Sequence, residues 1–532
     1  MPDKAIHIIQ RQVFELSAAS SKADLEWEKS AAQYLHTIIK PCIEACFDEL
    51  PIKGQHLVIE KLEIDLGIFA TGRFEKEAYG KLKEVLSRKL QELTATREIM
   101  DRDHMSEQEL SAQSLPATDK PSAVRLSETK AVQQILLSFL ATGRFPWWHR
   151  MHGHPAFLDD LFNLDWMRSL HEYGKATLKE TLQTSAAARI RISNHFSAEW
   201  TGGCLQLLDM KGEEALRQLK ILLPALASFR ALQPLFHQYF WMMWMETGGS
   251  IQLPLLLERT AGGRNAFSLE IAETMMPLCE QDAVLKGHGA ALRKYREASQ
   301  AAGDQTAENI ASATQTTAST ENLPAETKAL EERTPETDEA KMQEIFADIA
   351  SQSLQRKSAG EKPKEEDALF VQAAGMVLLH PFLATLFRVT GLWEDQKWSS
   401  AQSPFRALQL LSWLAFGETG LHEYRLVFLK ILVGLDPETP VPAELPLTEE
   451  EENACRELLQ AVISHWNALR NTSPDGLQEG FLQRNGKLLP AGGKYLLHVE
   501  PLAQDVLLSR LPWGYTVVKL PWMKQMLHVT WI

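Results

Sequence analysis

Cysteine is scarce in this sequence, and an odd, scattered set does not suit a disulfide-stapled secreted domain. The five cysteines are Cys42, Cys46, Cys204, Cys279 and Cys455. The first twelve residues lack the apolar core and the small-residue cleavage site of a signal peptide. The longest uncharged apolar run, residues 370–387, contains His380 and Pro381 and falls short of the roughly 20 residues that a spanning helix needs. We therefore expect a protein that is cytoplasmic when synthesised and has no membrane partner.

Basic residues are outnumbered by acidic ones. The 55 lysines and arginines stand against 69 aspartates and glutamates, which gives a net charge of −14. A chain of this sign lacks the positive surface that a phosphate backbone requires, so we expect no nucleic-acid partner. Residues 296–367 contain 16 acidic and 8 basic residues, a net of −8, which leaves −6 for the other parts of the chain.

Motifs that would identify an enzyme are missing. The sequence has no G-x-S-x-G nucleophile elbow, no H-E-x-x-H zinc helix and no dinucleotide-binding glycine triplet. Gly480 and the pair Gly486-Lys487 resemble a phosphate-binding loop, but the spacing is one residue too long. Leu488 also stands where a Ser or Thr would hold magnesium. We therefore predict no catalytic residue, no cofactor and no enzymatic activity.

One histidine cluster is a candidate metal site. His149, His152 and His154 could bind zinc with a nearby aspartate as the fourth ligand. The alternative, which we prefer, is a solvated loop. Cys42 and Cys46 lie one turn apart on a predicted helix and could form a redox pair, but core packing is the preferred interpretation. The sequence therefore predicts no metal site.

Apolar periodicity predicts an α+β fold that is predominantly α-helical. A small βαβα unit at the N-terminus combines a strand over 6–16, a helix over 35–50, a strand over 62–66 and a helix over 74–94. The further helical patterns cover residues 129–142, 157–173, 178–196, 205–245, 369–387, 405–414, 424–435 and 447–469. Pro224 and Pro234 are predicted to divide the pattern over 205–245. Short C-terminal strands are predicted over 494–499, 515–520 and 526–531. Strands at both ends need partners, and the sequence leaves open whether the two sets share one sheet.

These patterns divide the chain into six parts. They are an N-terminal βαβα domain (1–99), a linker (100–128), a helical domain (129–295), a disordered acidic linker (296–368), a second helical domain (369–470) and a C-terminal β-containing module (471–532). No aromatic residue occurs between 297 and 345, so the acidic linker cannot bury enough apolar surface to offset its ordering entropy. A transient helix is predicted near 342–354. As a flexible coil the linker would span on the order of 50 Å, and pulled taut roughly 250 Å.

Tryptophan is abundant, with 14 residues, and several lie at helix breaks or in the predicted terminal strands. Because tryptophan is enriched in binding hot spots, five of them are candidate interaction anchors. These candidates are Trp147, Trp148, Trp513, Trp522 and Trp531. Packing in the protein's own core is the alternative for each of them.

Seven segments together resemble one known protein family. In the first half they are residues 7–16 (HIIxxQVxEL), 59–67 (IxxLEIDLG) and 139–148 (FLxTGxxPWW). In the second half they are residues 377–383 (VLLHPFL), 435–442 (LDPETPVP), 462–473 (VIxHWxALxNTS) and 520–523 (LPWM). In this order the chain resembles the tape measure proteins of extracellular contractile injection systems, which are phage-tail-like particles. The resemblance does not extend over residues 296–368.

The resemblance implies a structural assembly factor without catalytic residues. It implies a ruler that fixes the length of the inner tube and its contractile sheath, with baseplate and inner-tube subunits as partners and with incorporation in the particle. An assembly chaperone or cargo adaptor without a ruler role is the alternative, and the composition fits both equally. Copy number and oligomeric state within the particle stay open.

Overall fold

A computed structural model describes ten stretches of the chain and three single residues near the N-terminus. The stretches are 33–50, 55–59, 62–69, 73–95, 123–146, 148–149, 158–262, 265–299, 368–443 and 446–531. The strand predicted over 6–16 lies almost entirely outside these residues. The same holds for the acidic segment between 300 and 367 and for the helix predicted over 342–354 within it.

The chain is organised as two units, each with its own core. The first comprises Met1–Leu136, Pro146–His152 and Ser169–His171, and the second comprises Leu137–Phe145, Gly153–Arg168 and Glu172–Ile532. The described residues on either side of the acidic segment fall in the same unit.

Two helices form the core of the first unit. Helix α1 (Lys40–Asp48) continues a π-helical turn, Leu35–Ile39, and helix α2 is Phe74–Ala95. Their apolar faces pack together through Ile39, Cys42, Cys46, Leu82, Leu86 and Leu90. The helices predicted over 35–50 and 74–94 are confirmed, and both cysteines are free thiols buried in the core.

The strands of the first unit differ from the prediction. Strand β1 (Gln55–Ile59) pairs antiparallel with strand β2 (Ala123–Ser127), which lies in the stretch predicted as a linker. Residues 62–66 are extended and bury alternate side chains against the helices, but they form no ladder with any described residue. The prediction of a strand over 62–66 was wrong. The alternation of apolar and charged residues shows which side chains are buried, but it does not show whether the backbone pairs with another strand.

The second unit contains most of the helices. Before the acidic segment the helices are α3 (Glu128–Thr142, which begins in the first unit), α4 (Leu164–Arg168), α5 (Glu172–Thr184), α6 (Ala186–His195), α7 (Ala198–Leu207), α8 (Gly212–Leu222), α9 (Gln233–Thr247), α10 (Leu253–Ala261), α11 (Asn265–Gln281) and α12 (286–299). The single helix predicted over 178–196 is two, because the Ser185 hydroxyl accepts from the Ala188 N–H and caps α6. The helix predicted over 157–173 is also broken, and the Asn163 side chain accepts from the Asp165 N–H at the start of α4.

One stretch, Gly212–Thr247, is long and apolar enough by composition to cross a membrane. It is not one regular helix. The 3-10 segment Leu223–Leu232 includes Leu226 and Phe229 with non-helical backbone angles, and Pro234 stands in the first turn of α9. The division at the prolines was predicted from the sequence. Eight of the 15 residues of α9, among them Trp241 and Trp244, are buried.

After the acidic segment, helices pack against one five-stranded sheet. The helices are α13 (His380–Val389), α14 (Ser403–Phe416), α15 (Val427–Leu432), α16 (Glu449–His465) and α17 (Pro474–Leu477), with 3-10 segments at Ala374–Leu379, Glu423–Arg425, Asn467–Leu469 and Ala503–Arg510. The strands are β3 (Leu369–Val371), β4 (Trp393–Glu394), β5 (Lys397–Trp398), β6 (Gly486–Ala491), β7 (Lys494–Val499), β8 (Val517–Val518) and β9 (Met526–Thr530). The sheet order is β3-β6-β7-β9-β8, with β7 and β9 parallel and the other pairs antiparallel; β4 and β5 form a separate hairpin.

The strands predicted over 494–499 and 526–531 are confirmed, and the one predicted over 515–520 shortens to β8. Residues 369–371 were predicted as helix but form β3, because their backbone pairs with the missed strand β6. The Gly486-Lys487 pair that resembled a phosphate loop opens that strand. The described terminal strands do not share a sheet, since β1 pairs with β2 and the C-terminal strands pair with β3 and with one another.

Candidate functional site

The second unit contains a group of charged side chains that are fully buried. Arg191 on α6, Glu423 on the 3-10 turn and Lys430 on α15 each expose 0% of their side chains. Charges are rarely buried in this way unless they are paired. We call these three residues, with the neighbouring His195 and His422, the buried charge cluster.

Arg191 makes the most contacts in the cluster. Its Nε and Nη2 donate to the two carboxylate oxygens of Glu423 at 3.0 and 2.8 Å, which is a bidentate pairing. Its Nη1 donates to the Leu140 carbonyl at 2.7 Å, and Nη2 also donates to the Glu438 carbonyl at 2.5 Å. The guanidinium therefore ties three separate segments of the chain together.

Lys430 is the second cation on the same carboxylate. Its Nζ donates to Glu423 Oε1 at 2.6 Å and to the Pro437 carbonyl at 3.2 Å. Burial acts to raise the pKa of Glu423, but Arg191 and Lys430 outweigh it and hold that pKa at about 2. Burial lowers the pKa of Lys430 to about 8 against the attraction of Glu423, and the Arg191 charge adds to the lowering.

Two histidines lie beside this ion network. The Nδ1 atoms of His195 and His422 are 3.2 Å apart, and His195 Nε2 is 4.0 Å from Glu423 Oε2. Burial lowers the pKa of His195 to about 3, although Glu423 opposes the shift. The His195 ring is therefore neutral near pH 7 and adds no third cation to the buried carboxylate.

A polar rim adjoins the cluster. Arg144 Nη2 pairs with Glu438 Oε1 at 2.7 Å, with about a quarter of each side chain exposed. Asn194 Nδ2 donates to the Val441 carbonyl at 2.9 Å. These contacts link the same two parts of the unit as Arg191 does, so the rim and the cluster form one continuous joint.

Gly143 lets the backbone approach the buried carboxylate. It has a φ of +72°, and a Cβ placed on it would lie 2.2 Å from Glu423 Oε1. Only glycine adopts this conformation freely while leaving room for the carboxylate. Beside it, the rings of Phe145 and Tyr424 pack with centroids 5.0 Å apart.

The arrangement is that of a structural joint. Charges and main-chain acceptors bind residues 140–144 and α6 to residues 423–443, on the other side of the acidic segment in sequence. Within the described stretches, no group of three or more His, Cys, Asp and Glu residues is placed to hold a metal ion.

Comparison with known proteins decides the family. A family model described as contractile injection system tape measure protein matches residues 6–531. The chain belongs to this family. The resemblance read from the sequence is thereby confirmed over nearly the whole chain, and the family is a structural one. No curated protein and no solved structure matches the chain.

Two of the segments by which the chain resembles the tape measure family meet in the joint. Residues 139–148 supply the Leu140 carbonyl, Gly143 and Arg144, and residues 435–442 supply the Glu438 and Val441 groups. These family segments therefore form the buried contact between two parts of one unit.

The candidate anchor tryptophans lie in different surroundings. Trp522 and Trp531 are 9% and 2% exposed, and their indole N–H groups donate to the Leu432 carbonyl at 2.7 Å and to Asp505 Oδ2 at 3.1 Å. Trp513 is half-buried, and its N–H donates to the Leu378 carbonyl at 3.0 Å.

In the first unit, Trp148 is half-buried, with its ring centroid 6.1 Å from that of His56. Trp147 lies outside the described residues. An anchoring role for the five tryptophans stays a prediction, and for Trp522 and Trp531 the contacts in the protein's own core account for their positions.

The other sequence candidates are placed as follows. Of the histidine cluster, His149 is described, whereas His152 and His154 lie outside the described residues. Burial raises the pKa of Cys42 to about 11, with Cys46 adding to the shift, so the thiol stays protonated near neutral pH.

Sequence reasoning missed the buried charge cluster. A signal was present, because Arg191 stands between Ile190 and Ile192, and Lys430 lies inside the apolar helix Val427–Leu432. Charges placed between apolar residues suggest buried ion pairs. The partner Glu423 lies 232 positions from Arg191, so no local pattern identifies it.

Proposed function

We propose that this chain is an assembly factor of a contractile injection particle and that it sets the length of the inner tube and the contractile sheath. The observation that carries the proposal is the match to the tape measure family over residues 6–531. The buried charge cluster supports a structural role, because its charges are used to join parts of the chain.

The proposed position is between the baseplate and the inner tube, whose subunits would be its partners. The protein would be made in the cytoplasm and incorporated in the particle. In this account the two terminal β-containing parts are docking modules, and the helices with the acidic segment supply reach.

The described elements favour the acidic segment as the part that provides length. The longest uninterrupted α-helix among the described residues is α2, with 22 residues, which corresponds to about 33 Å. The composition of residues 296–368 predicts a chain without a fixed fold, which could reach roughly 250 Å when taut. The reach of the acidic segment therefore exceeds that of any described helix, and we infer that this segment supplies most of the ruler's length.

A deletion strain tests the proposal directly. We expect electron micrographs of cells lacking this chain to show particles that are absent or of irregular length. Restoring the full-length chain should restore a narrow length distribution. Particles of normal and uniform length in the deletion strain would contradict the proposal.

The second candidate function is an assembly chaperone or cargo adaptor that does not set length. It is favoured by the short helices and compact cores of the described units. Counting the protein in purified mature particles by quantitative mass spectrometry separates the two functions. A fixed copy number in every particle supports the ruler, and absence from mature particles supports the chaperone.

A further inference from the structure

The five-stranded sheet of the second unit has two unlike faces. Side chains alternate along each strand, so one face is set by residues such as Leu488, Leu497 and Leu527, which are buried against the helices. The outward positions are Phe370, Val517, Lys487, Leu489, Ala491, Lys494, Leu496, His498, Met526, His528 and Thr530. Each of these outward residues is exposed or half-buried, and none belongs to the core cluster. We call this surface the outer sheet face.

A row of three apolar side chains and one histidine crosses the outer sheet face, and we call it the apolar row. Leu489 lies opposite Leu496, Leu496 opposite His528, and His528 opposite Val517, so the row runs across four strands in register. Phe370 on the edge strand β3 is 55% exposed and Val517 on the other edge strand is 51% exposed. Phe370 lies beside the row, opposite Lys487, and within the row Leu489, Leu496 and His528 are half-buried. Accessible apolar side chains grouped on one face in this way are typical of an interaction surface.

The charge on this face is of one sign. Lys487 and Lys494 flank the apolar row, His498 and His528 add imidazoles, and no outward position on the five strands is acidic. Neither lysine forms an ion pair with a residue in the part of the chain that the structure describes. The whole chain carries a net charge of −14, so a carboxylate-free face with two lysines contrasts with the rest of the protein.

We propose that the outer sheet face docks a segment of another particle subunit that presents apolar side chains and flanking carboxylates on one side. The apolar row would bury the partner's apolar side chains, and Lys487 and Lys494 would pair with its carboxylates. Such pairs fix register and orientation as well as adding attraction. The edge strands β3 and β8 have only three and two residues, so docking would use the face and not strand addition at an edge. The inference rests on the proposed incorporation of the chain in the particle.

Photo-crosslinking from the face tests which occupant is present. Leu496 is replaced by p-benzoylphenylalanine in the full-length chain, particles are assembled in cells and purified, and crosslinked peptides are sequenced by mass spectrometry. We expect a crosslink to a peptide of a different particle subunit that contains Asp or Glu beside apolar residues. Crosslinks to residues 296–368 of the same chain, or to a second copy of it, would overturn the proposal.

Charge reversal tests the role of the lysines. The double variant Lys487→Glu and Lys494→Glu should lower the copy number per particle at least about tenfold, since a tenfold change needs only about 1.4 kcal/mol. The control Lys286→Glu and Lys397→Glu makes the same charge change at exposed positions off this face and should incorporate normally. The conservative variant Lys487→Arg and Lys494→Arg should incorporate as the unmodified chain does.

Two results distinguish a failure of the docking proposal from a failure of the proposed length-setting function. An unchanged circular dichroism spectrum of the purified charge-reversal variant shows that the sheet is folded. Normal incorporation of that variant overturns the docking proposal, whereas uniform normal-length particles in the deletion strain overturn the proposed function.

Discussion

Arg191 and Glu423 form a bidentate ion pair at 2.8 and 3.0 Å with neither side chain exposed to solvent, although 232 positions separate them in the sequence. The pair joins α6 to the segment that follows the acidic stretch, and Lys430 adds a second cation to the same carboxylate. Removing one partner of such a group leaves buried charge without compensation, which costs more than losing a surface contact.

Replacement of the carboxylate should therefore be strongly destabilising. We expect Glu423→Gln to lower the free energy of unfolding of the second unit by about 3–5 kcal/mol, because Arg191 and Lys430 lose their counter-charge. Urea denaturation followed by tryptophan fluorescence measures the change. Glu280→Gln is the control, since Glu280 and its partner Arg293 are 47% and 53% exposed, and it should cost less than about 1 kcal/mol. A loss below about 1 kcal/mol in Glu423→Gln would show that the buried pair is not stabilising.

Gly143 gives a second test of the same joint. Gly143→Ala places a Cβ against Glu423 Oε1, and the carboxylate cannot swing away without losing Arg191 and Lys430. Gly420→Ala is a matched control, because Gly420 has a φ of +71° but nothing within 4 Å of its added Cβ. We expect Gly143→Ala to cost at least about 2 kcal/mol more than Gly420→Ala in thermal or urea unfolding. If Gly143→Ala and Gly420→Ala cost the same, the added methyl group at position 143 does not clash with the Glu423 carboxylate.

The buried histidine makes stability depend on pH. In the unfolded chain His195 takes up a proton below about pH 6.5, whereas in the folded chain its pKa is about 3. The unfolded state therefore binds more protons in this window, and stability falls as the pH falls from 6.5 towards 3. One such group changes the free energy of unfolding by about 1.4 kcal/mol per pH unit within this window.

The variant His195→Gln should flatten the slope measured between about pH 6.5 and 5, whatever its stability at neutral pH. His465→Gln, at an exposed position, serves as the control for replacing a histidine by glutamine. An unaltered slope in His195→Gln would show that His195 is protonated in the folded protein.

Trp522 should contribute to the stability of the protein outside the particle, because it is buried in the protein's own core. We expect Trp522→Ala to lower the free energy of unfolding of the purified protein by about 3–5 kcal/mol, because the indole packs against Phe387 and donates to the Leu432 carbonyl. Val506→Ala, at a site 71% exposed, should have little effect. If Trp522→Ala left stability unchanged and abolished incorporation in particles, the residue would be a docking anchor, as its sequence context suggested.

The sequence predicted those helices and strands that are determined by patterns among neighbouring residues. The helix Phe74–Ala95 and the strand Lys494–Val499 were predicted almost to their ends, because apolar periodicity and flanking glycines are properties of neighbouring residues. Strand β3 was missed because three apolar residues become a strand only when β6, far along the chain, provides a backbone partner. The Arg191–Glu423 pair was missed for the same reason, since its two halves are brought together only by tertiary packing.

The central claim is that this tape measure family member sets particle length through its acidic segment. The most direct measurement is the length of particles in electron micrographs of strains that carry successive deletions within residues 300–367. A scrambled segment of the same length and composition is the control and should give normal length. The account predicts that mean particle length falls with each deletion while the spread stays narrow; particles of unchanged length in every deletion strain would contradict it.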